Sequence, residues 1–157
     1  MKNIEIAKIL LEIGEYLEME GVAFKPRAYQ KAGEAIQGIE EGIEETYKKG
    51  GIRALGDIFG VGVSIALTIE ELIKTGRSKH YDELRKNTPV NLSELTQIEG
   101  LGPKNIKKLY DKLDIKNLKE LEEAVKAGKI RKLEGFGAKS EEKILKGIEF
   151  LKRSGGR

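Results

Sequence analysis

LGDIFGVG at residues 55–62, LTQIEGLG at residues 95–102 and IRKLEGFG at residues 130–137 are three copies of one pattern. Each copy has an apolar residue, two variable residues, a second apolar residue, one variable residue and then Gly-apolar-Gly. An apolar residue recurs seven positions after the second glycine, at Ile69, Leu109 and Ile144, as on the buried face of a helix. A repeat of this kind decides the fold, and the rest of the chain is interpreted around it.

The two glycines give the pattern a physical meaning. A helix that ends near the first glycine can use its tolerance of positive φ, and the second glycine can open the next helix. The apolar residue between the glycines then fills the space between the two helices. Backbone N–H groups are left at the positive end of a helix, where they can bind a phosphate without a basic side chain. A single Gly-x-Gly would indicate only an interhelical turn, whereas three copies in one frame favour a phosphate-binding hairpin.

Helical periodicity continues on both sides of the repeats. Apolar spacing predicts helices from Asn3, as the N-cap, to about Glu20, from about Pro26 to Gln37, and from about Glu40 to Lys49, where Gly50-Gly51 follows. No segment alternates convincingly with period two, so we predict an all-α fold of two small helical domains built around the hairpins. Turn-forming residues and a proline at 87–91 place the domains at residues 1–87 and 91–150, and residues 151–157 are expected to be a linker.

Composition excludes several classes of function. The 157 residues include no cysteine and one histidine, which excludes disulfides, thiol catalysis, cysteine zinc sites and multi-histidine metal sites. No segment is long and apolar enough for a membrane span or a signal peptide, so we expect a cytoplasmic protein with no membrane partner. No Asp-x-Asp pair is present for two-metal chemistry, so nucleotidyl transfer is excluded for this chain by itself. Nothing indicates an oligomer, and we expect a monomer.

Charge is distributed unevenly along the chain. The formal net charge is +3, but residues 99–157 carry 16 basic and 10 acidic side chains, a local net charge of +6. A positive field there favours a polyanion such as nucleic acid. The alternative is an ordinary lysine- and glutamate-rich surface of a thermostable protein. His80 is interpreted as a helix-start or surface residue.

The three hairpins resemble helix-hairpin-helix DNA-binding motifs. Their order, together with FKPRAYQKA at residues 24–32 and GFGAKS at residues 135–140, resembles the N-terminal part of family X DNA polymerases, the polymerase beta-like enzymes, of bacterial and archaeal type. The resemblance covers essentially the whole chain. It implies a first domain of the lyase type that binds the 5′-phosphate at a DNA gap, and a second domain that grips the duplex. It also implies that the parent protein is a DNA repair polymerase in base excision repair, with Mg²⁺ confined to a palm domain beyond Arg157.

The resemblance and the hairpin chemistry together give the candidate DNA-binding residues. The resemblance implies that backbone amides of the first and second hairpins contact phosphates. It also implies that Lys25 binds the 5′-phosphate and that Tyr29 flanks the phosphate pocket. Lysines after the second and third hairpins, including Lys108 and Lys143, can add sequence-independent phosphate contacts that salt weakens. The candidates are Lys25, Tyr29, Gly60, Gly62, Ser64, Gly100, Gly102, Lys104, Asn105, Lys107, Gly135, Gly137 and Lys139.

A monovalent cation is also implied by the resemblance. Backbone carbonyls at a helix end can hold Na⁺ or K⁺, and the ion offsets the charge of a phosphate. The matching positions are Gly56, Ile58 and Val61 in the first hairpin, and Thr96, Ile98 and Leu101 in the second.

The chain departs from the family at the lyase nucleophile. Relatives with lyase activity form a Schiff base through a lysine, and the matching position here is Thr68, whose hydroxyl cannot form an imine. Ser64 replaces a basic phosphate ligand, and Phe24 stands where some relatives carry histidine. We therefore expect a non-catalytic DNA-binding region. Two alternatives remain open: a 5′-deoxyribose-phosphate or abasic-site lyase using a displaced lysine such as Lys25, Lys31 or Lys74, and a helical protein-interaction scaffold.

Overall fold

The structure, a computed structural model, describes residues 1–154 and divides into two compact units. The first unit is Met1–Asn87 and the second begins at Thr88. Every regular element within the described residues is helical, which confirms the predicted all-α class. The first unit contains α1 (Asn3–Met19), α2 (Lys25–Gln37), α3 (Ile43–Gly56), α4 (Val63–Thr75) and α5 (Lys79–Asn87). The second contains α6 (Leu92–Leu95), α7 (Pro103–Leu113), α8 (Leu118–Lys126), a 3-10 turn (Ile130–Lys132) and α9 (Ala138–Ser154).

Close packing of α1 against α2 fixes the beginning of α2. A Cβ atom on Gly33 would lie 2.8 Å from the Leu11 side chain, and one on Gly14 would lie 3.0 Å from the carbonyl oxygen of Pro26. A larger residue at either position would push the two helices apart. Gly14 therefore lets the first turn of α2, which carries Lys25, lie against α1, and Gly33 allows the same close approach further along α2.

Asn3 has a different role from the one expected. The prediction that it caps α1 is wrong, because Lys2 is the N-cap and Asn3 is the first helical residue. The Asn3 Oδ1 atom accepts a hydrogen bond from the Ile43 amide at 2.8 Å, and its Nδ2 atom donates to the Glu41 carbonyl at 3.0 Å. The asparagine thus satisfies the backbone at the start of α3, a contact between distant segments that local sequence does not reveal.

The path of α3 breaks at the expected pair of glycines. Gly51 has φ +66° and ψ −159°, which lies outside the helical region. A short helical segment follows the break and ends at Gly56, where the first hairpin begins. The break lets Leu55 enter the core, where it is fully buried.

The last helix is longer than the sequence suggested. Residues 151–154, which we expected to open a linker, form the end of α9, and the Ser154 hydroxyl donates to the Phe150 carbonyl at 2.8 Å. The rest of the predicted linker, residues 155–157, lies outside the described residues. The periodic apolar positions of α9 include the buried Ile144 and Ile148, so packing extends this helix toward its charged end. None of the described helices has the length and hydropathy of a bilayer span.

Candidate nucleic-acid interface

The three repeats form turns with the same backbone conformation. The first glycine of each copy has positive φ, which is +91° at Gly60, +82° at Gly100 and +88° at Gly135. In each turn the amide after this glycine donates to the carbonyl three residues earlier, at 3.0, 3.1 and 3.0 Å for the first, second and third copies. An L side chain is strained at such φ values. The repeated glycine is therefore a geometric requirement of the turn, as the sequence predicted.

The second glycine begins the following helix in the same way. Gly62 and Gly102 are N-caps with extended backbone and without a capping side-chain hydrogen bond. The first helical hydrogen bond to a glycine carbonyl spans 2.9 Å at Gly62, 3.0 Å at Gly102 and 3.0 Å at Gly137. The amides before these bonds have no helical carbonyl within reach. Each hairpin therefore presents N–H groups at the positive end of a helix dipole, where an anion is stabilised.

The first hairpin opens into a cavity of about 440 Å³ within the first unit. This volume suits a small ligand or one nucleotide group. Six residues singled out from the sequence line it together, five as DNA-binding candidates and one as the position of the family lysine. They are Lys25, Tyr29, Gly60, Gly62, Ser64 and Thr68. Ala28, Val63, Ile65 and His80 complete the lining.

Two contacts position the walls of this cavity. Gly60 lies close to α2, since a Cβ atom there would stand 3.5 Å from the carbonyl oxygen of Lys31 and 3.7 Å from the Cβ atom of Ala35. The apolar residue between the hairpin glycines, Val61, is buried as expected. The hairpin turn therefore packs on the helix that carries Lys25 and Tyr29. Of these two side chains, Lys25 is exposed and Tyr29 is buried.

Thr68 lines the cavity, but its hydroxyl group is hydrogen-bonded within its own helix. It is 9% exposed, and its hydroxyl donates to the Ser64 carbonyl at 3.3 Å within α4. Of the three lysines considered as replacement amines, Lys25 lines the cavity, whereas Lys74 pairs with Glu70 at 3.8 Å. Among the described residues that line the cavity, one amine is thus available, and it lies at the start of α2.

His80 is a cavity residue that sequence reasoning did not assign. It is the second residue of α5 and exposed, as interpreted, but it also lines the cavity, with its ring centroid 6.4 Å from that of Tyr29. Gly76, whose φ is +75°, turns the chain after α4, and α5 then returns to α1, where the Tyr81 hydroxyl donates to Glu12 at 2.9 Å. The direction of that return depends on packing and is not encoded locally.

In the second unit the basic side chains after the hairpins divide into two groups. Lys104 and Lys139 are exposed, and each lies two residues after the second glycine of its hairpin. Asn105, which follows Lys104, is half-buried. Lys107 pairs with Asp111 at 2.9 Å, and Lys108 Nζ donates to the Glu134 carbonyl at 3.2 Å. The structure therefore gives the last two lysines partners inside the protein, and they contribute less free charge than the sequence suggested.

The third hairpin is anchored by a buried carboxylate. Glu141 is 3% exposed and accepts hydrogen bonds from the Arg131 backbone amide at 3.0 Å and from its guanidinium Nε at 2.9 Å. Burial opposes ionisation of Glu141, but the bonds from Arg131 outweigh it and hold the pKa below its usual range. Phe136, the residue between the glycines, is only half-buried, and Lys108 Nζ lies 5.8 Å from its ring centroid. Polar contacts therefore stabilise this hairpin more than burial of the apolar residue between its glycines does.

A broad groove adjoins the second hairpin within the second unit. It measures about 760 Å³ and lies between the hairpin residues Glu99 and Gly100 and the exposed side of α9. Lys143 and Lys146 line it together with the exposed Phe150. Basic groups of α9 therefore stand beside the backbone turn of the second hairpin, although they follow the third hairpin in sequence.

The carbonyl groups proposed for a cation lie at both hairpin turns. The Ile58 and Ile98 carbonyls accept turn hydrogen bonds at 3.0 and 3.1 Å, and each carbonyl oxygen has a second lone pair. Within residues 1–154 no group of three or more histidine, cysteine or acidic side chains could hold a metal ion.

Family models and a curated protein match this chain. A helix-hairpin-helix domain model matches residues 1–78, and a SAM-like helix-hairpin-helix tandem matches residues 92–149. The chain is also 34% identical over 149 residues to the DNA polymerase/3′-5′ exonuclease PolX of Bacillus subtilis (strain 168). That alignment covers 94% of this chain and 25% of the relative, so the chain spans about a quarter of that protein's length. These matches confirm the resemblance drawn from the hairpins.

Proposed function

Because this chain belongs to the helix-hairpin-helix proteins, in the form found in the N-terminal region of family X DNA polymerases, we propose that it binds DNA without reading base sequence. We further propose that its first unit recognises the 5′-phosphate at a gap or nick. The observation that carries the proposal is the cavity of the first unit, which joins the amides of a helix N-terminus to the amine of Lys25.

The chemistry of the cavity favours a terminal phosphate. Gly60, Gly62 and Ser64 belong to one hairpin, so their backbone can approach a single anion, and Lys25 supplies a positive charge from a second helix. A terminal phosphate carries more charge than a phosphodiester, so the helix N-terminus and the Lys25 amine stabilise it more strongly. The site has volume for the phosphate and part of its nucleotide.

Features of the second unit favour binding to the continuous phosphate backbone of duplex DNA. Each of its two hairpins has an exposed tip that is followed by an exposed lysine, Lys104 or Lys139. The sequence of this unit also carries the excess of positive charge in the chain. Contacts of this type release counterions and position a protein without specifying bases. Binding of the second unit is therefore expected to weaken steeply with salt.

The proposal includes a monovalent cation at the hairpins. Carbonyl oxygens of Gly56, Ile58 and Val61, and of Thr96, Ile98 and Leu101, would hold Na⁺ or K⁺ and offset phosphate charge. Replacing K⁺ by tetramethylammonium at constant ionic strength tests this, because the larger ion cannot approach the carbonyls. Reduced DNA affinity is the expected result, and unchanged affinity would remove the cation from the proposal.

The main test is a titration with three DNAs at about 50 and about 200 mM salt. The DNAs are an intact duplex, the same duplex with a one-nucleotide gap and a 5′-phosphate, and the gapped duplex without that phosphate. We expect the phosphorylated gap to bind most tightly and Lys25→Ala to reduce its advantage, with affinity for intact duplex unchanged. Equal affinity for all three DNAs would contradict 5′-phosphate recognition, and absence of binding would favour a protein-interaction scaffold.

Lyase activity is the second candidate, since Lys25 places an amine in the cavity. Borohydride trapping on DNA with a 5′-deoxyribose phosphate separates the candidates, because reduction makes an imine permanent. We expect no adduct from the wild-type chain. Thr68→Lys, which restores the family amine, is the matched positive control. A wild-type adduct that disappears in Lys25→Ala would establish a displaced nucleophile.

A further inference from the structure

Large apolar side chains that the core does not use occur at, or next in sequence to, residues that line the first cavity. Phe59 is 96% exposed at the hairpin tip, Phe24 is 91% exposed beside Lys25, and Val63 is 78% exposed at the start of α4. We call these three residues the apolar rim. Leu67, one turn along α4 from Val63, is 53% exposed and extends the same face. Apolar exposure concentrated around one site indicates a ligand surface.

The three hairpins provide an internal comparison for Phe59. The position before the first glycine is Phe59 in the first copy, Glu99 in the second and Glu134 in the third. All three side chains are exposed, so none serves the core. Packing therefore does not explain the phenylalanine, and the two other copies show that the turn itself accepts a carboxylate.

The rim lies directly beside the phosphate-binding groups. Phe59 precedes Gly60 and Val63 follows Gly62, so both flank the hairpin amides that line the cavity. Phe24 precedes Lys25 and has φ +68°, a conformation that an L side chain rarely adopts. A ligand seated here meets an anion site and an aromatic surface together. A nucleotide has this combination of a charged phosphate and a planar base.

We propose that Phe59 stacks on the base of the nucleotide whose 5′-phosphate occupies the cavity. At a gap the outer face of that base is available, whereas in an intact duplex the next base pair covers it. The inference rests on the proposed function, because the phosphate places the base beside the rim. It adds a second determinant to recognition, namely an exposed base face. Hairpins with Glu99 or Glu134 at this position lack that determinant.

The test is a thermodynamic cycle in which the DNA affinities of the wild-type chain and its variants are measured for two gapped duplexes. One gapped duplex carries a normal 5′-phosphorylated nucleotide, and the other carries a 5′-phosphorylated tetrahydrofuran residue, which has the phosphate and no base. The wild-type chain is expected to bind the first about five- to tenfold more tightly, as for base–aromatic stacking. Phe59→Ala should bind both about equally, and Phe59→Tyr should keep the wild-type ratio.

Ile4→Ala is the matched control, since Ile4 is 70% exposed in the same unit and, unlike Phe59, has no sequence neighbour that lines the cavity. It should keep the wild-type ratio. The same ratio in Phe59→Ala and the wild type would overturn stacking. A self-association that Phe59→Ala abolishes in sedimentation, with that ratio unchanged, would assign the rim to a second copy of the chain and also overturn it. Discrimination of base from no base without discrimination of the 5′-phosphate would support stacking and overturn only the phosphate proposal.

Discussion

The first and second hairpins share a backbone and differ in the side chains around it. Their first glycines have φ values of +91° and +82°, and the equivalent turn hydrogen bonds measure 3.0 and 3.1 Å. At the tip, however, Phe59 corresponds to Glu99, and in the following helix Ser64 corresponds to Lys104. The same anion-binding turn therefore stands in an apolar and weakly charged setting in one unit, and in a charged setting in the other.

This difference teaches how a repeated turn can serve two parts of one ligand. The backbone amides supply attraction for phosphate in both hairpins, and this attraction does not depend on side chains. The charged setting of the second hairpin suits a continuous backbone, with counterions to release. The apolar setting of the first suits the end of a strand, where a phosphate and a base face are both available.

The largest expected effect on DNA affinity comes from substitutions that disrupt the first and the second hairpin turn separately. Gly60→Val and Gly100→Val place a β-branched side chain at positive φ, which strains the turn by about 1–3 kcal/mol. Gly60→Val should remove most of the preference for the phosphorylated gap and leave affinity for intact duplex nearly unchanged. Gly100→Val should weaken all DNAs by about tenfold or more. Fluorescence anisotropy measures both, and circular dichroism confirms that each variant is folded. Identical DNA profiles for the two variants would break the comparison.

A smaller effect is expected from exchanging the side chains after the turns. Ser64→Lys should strengthen binding of the phosphorylated gap about three- to tenfold at low salt, because it adds a cation beside the hairpin amides. Lys104→Ser should weaken binding of every duplex to a similar extent. The slope of log affinity against log salt is negative, and it should become steeper by about one for Ser64→Lys and shallower by about one for Lys104→Ser. An unaltered slope in Lys104→Ser would show that this lysine does not contact phosphate.

The smallest expected effect is a difference in pH dependence between the units. Burial raises the pKa of Glu15 to about 7, with Glu12 and Glu18 adding to the shift, whereas the pKa of Glu141 in the second unit is lowered. The folded first unit therefore holds a proton that the unfolded chain releases at lower pH. Its free energy of unfolding should fall as pH rises from about 4.5 to about 7. Glu141 has the opposite sign, since its contribution is lost in acid.

Hydrogen exchange can measure this difference unit by unit. Solvent screening at the partly exposed Glu15 limits its effect to roughly 1 kcal/mol. Amides of α1 should be less protected at pH 8 than at pH 5 after correction for intrinsic exchange, and Glu15→Gln should remove most of the difference. Protection that rises with pH in the first unit would contradict the assigned sign.

The local part of the structure could be predicted from sequence, and the reason is visible at the hairpins. The spacing of Gly60, Gly100 and Gly135 reports a backbone requirement, so each glycine identifies its own turn and the helix that follows. Apolar periodicity reports burial in the same direct way, as Ile69 and Leu109 illustrate. Hence the fold class and the backbone of the candidate site follow from the order of residues.

Contacts between distant segments could not be predicted in this way. His80 reaches the cavity because α5 folds back beside Tyr29, and Lys108 meets the Glu134 carbonyl because two hairpins pack together. Asn3 joins the start of α3 for a similar reason. In each example the partner is chosen by tertiary packing, and the sequence around either residue carries no signal for the other.

The most direct test of the account is a nuclear magnetic resonance titration of the ¹⁵N-labelled chain with the three DNAs. The amide signals of Gly60, Gly62 and Ser64 should shift strongly only when the gap carries its 5′-phosphate. The amides of Gly100, Gly102 and Asn105 should shift with all three DNAs. Equal shifts of the first hairpin with and without the phosphate, or a response to the phosphate in the second hairpin alone, would contradict the proposed division of roles.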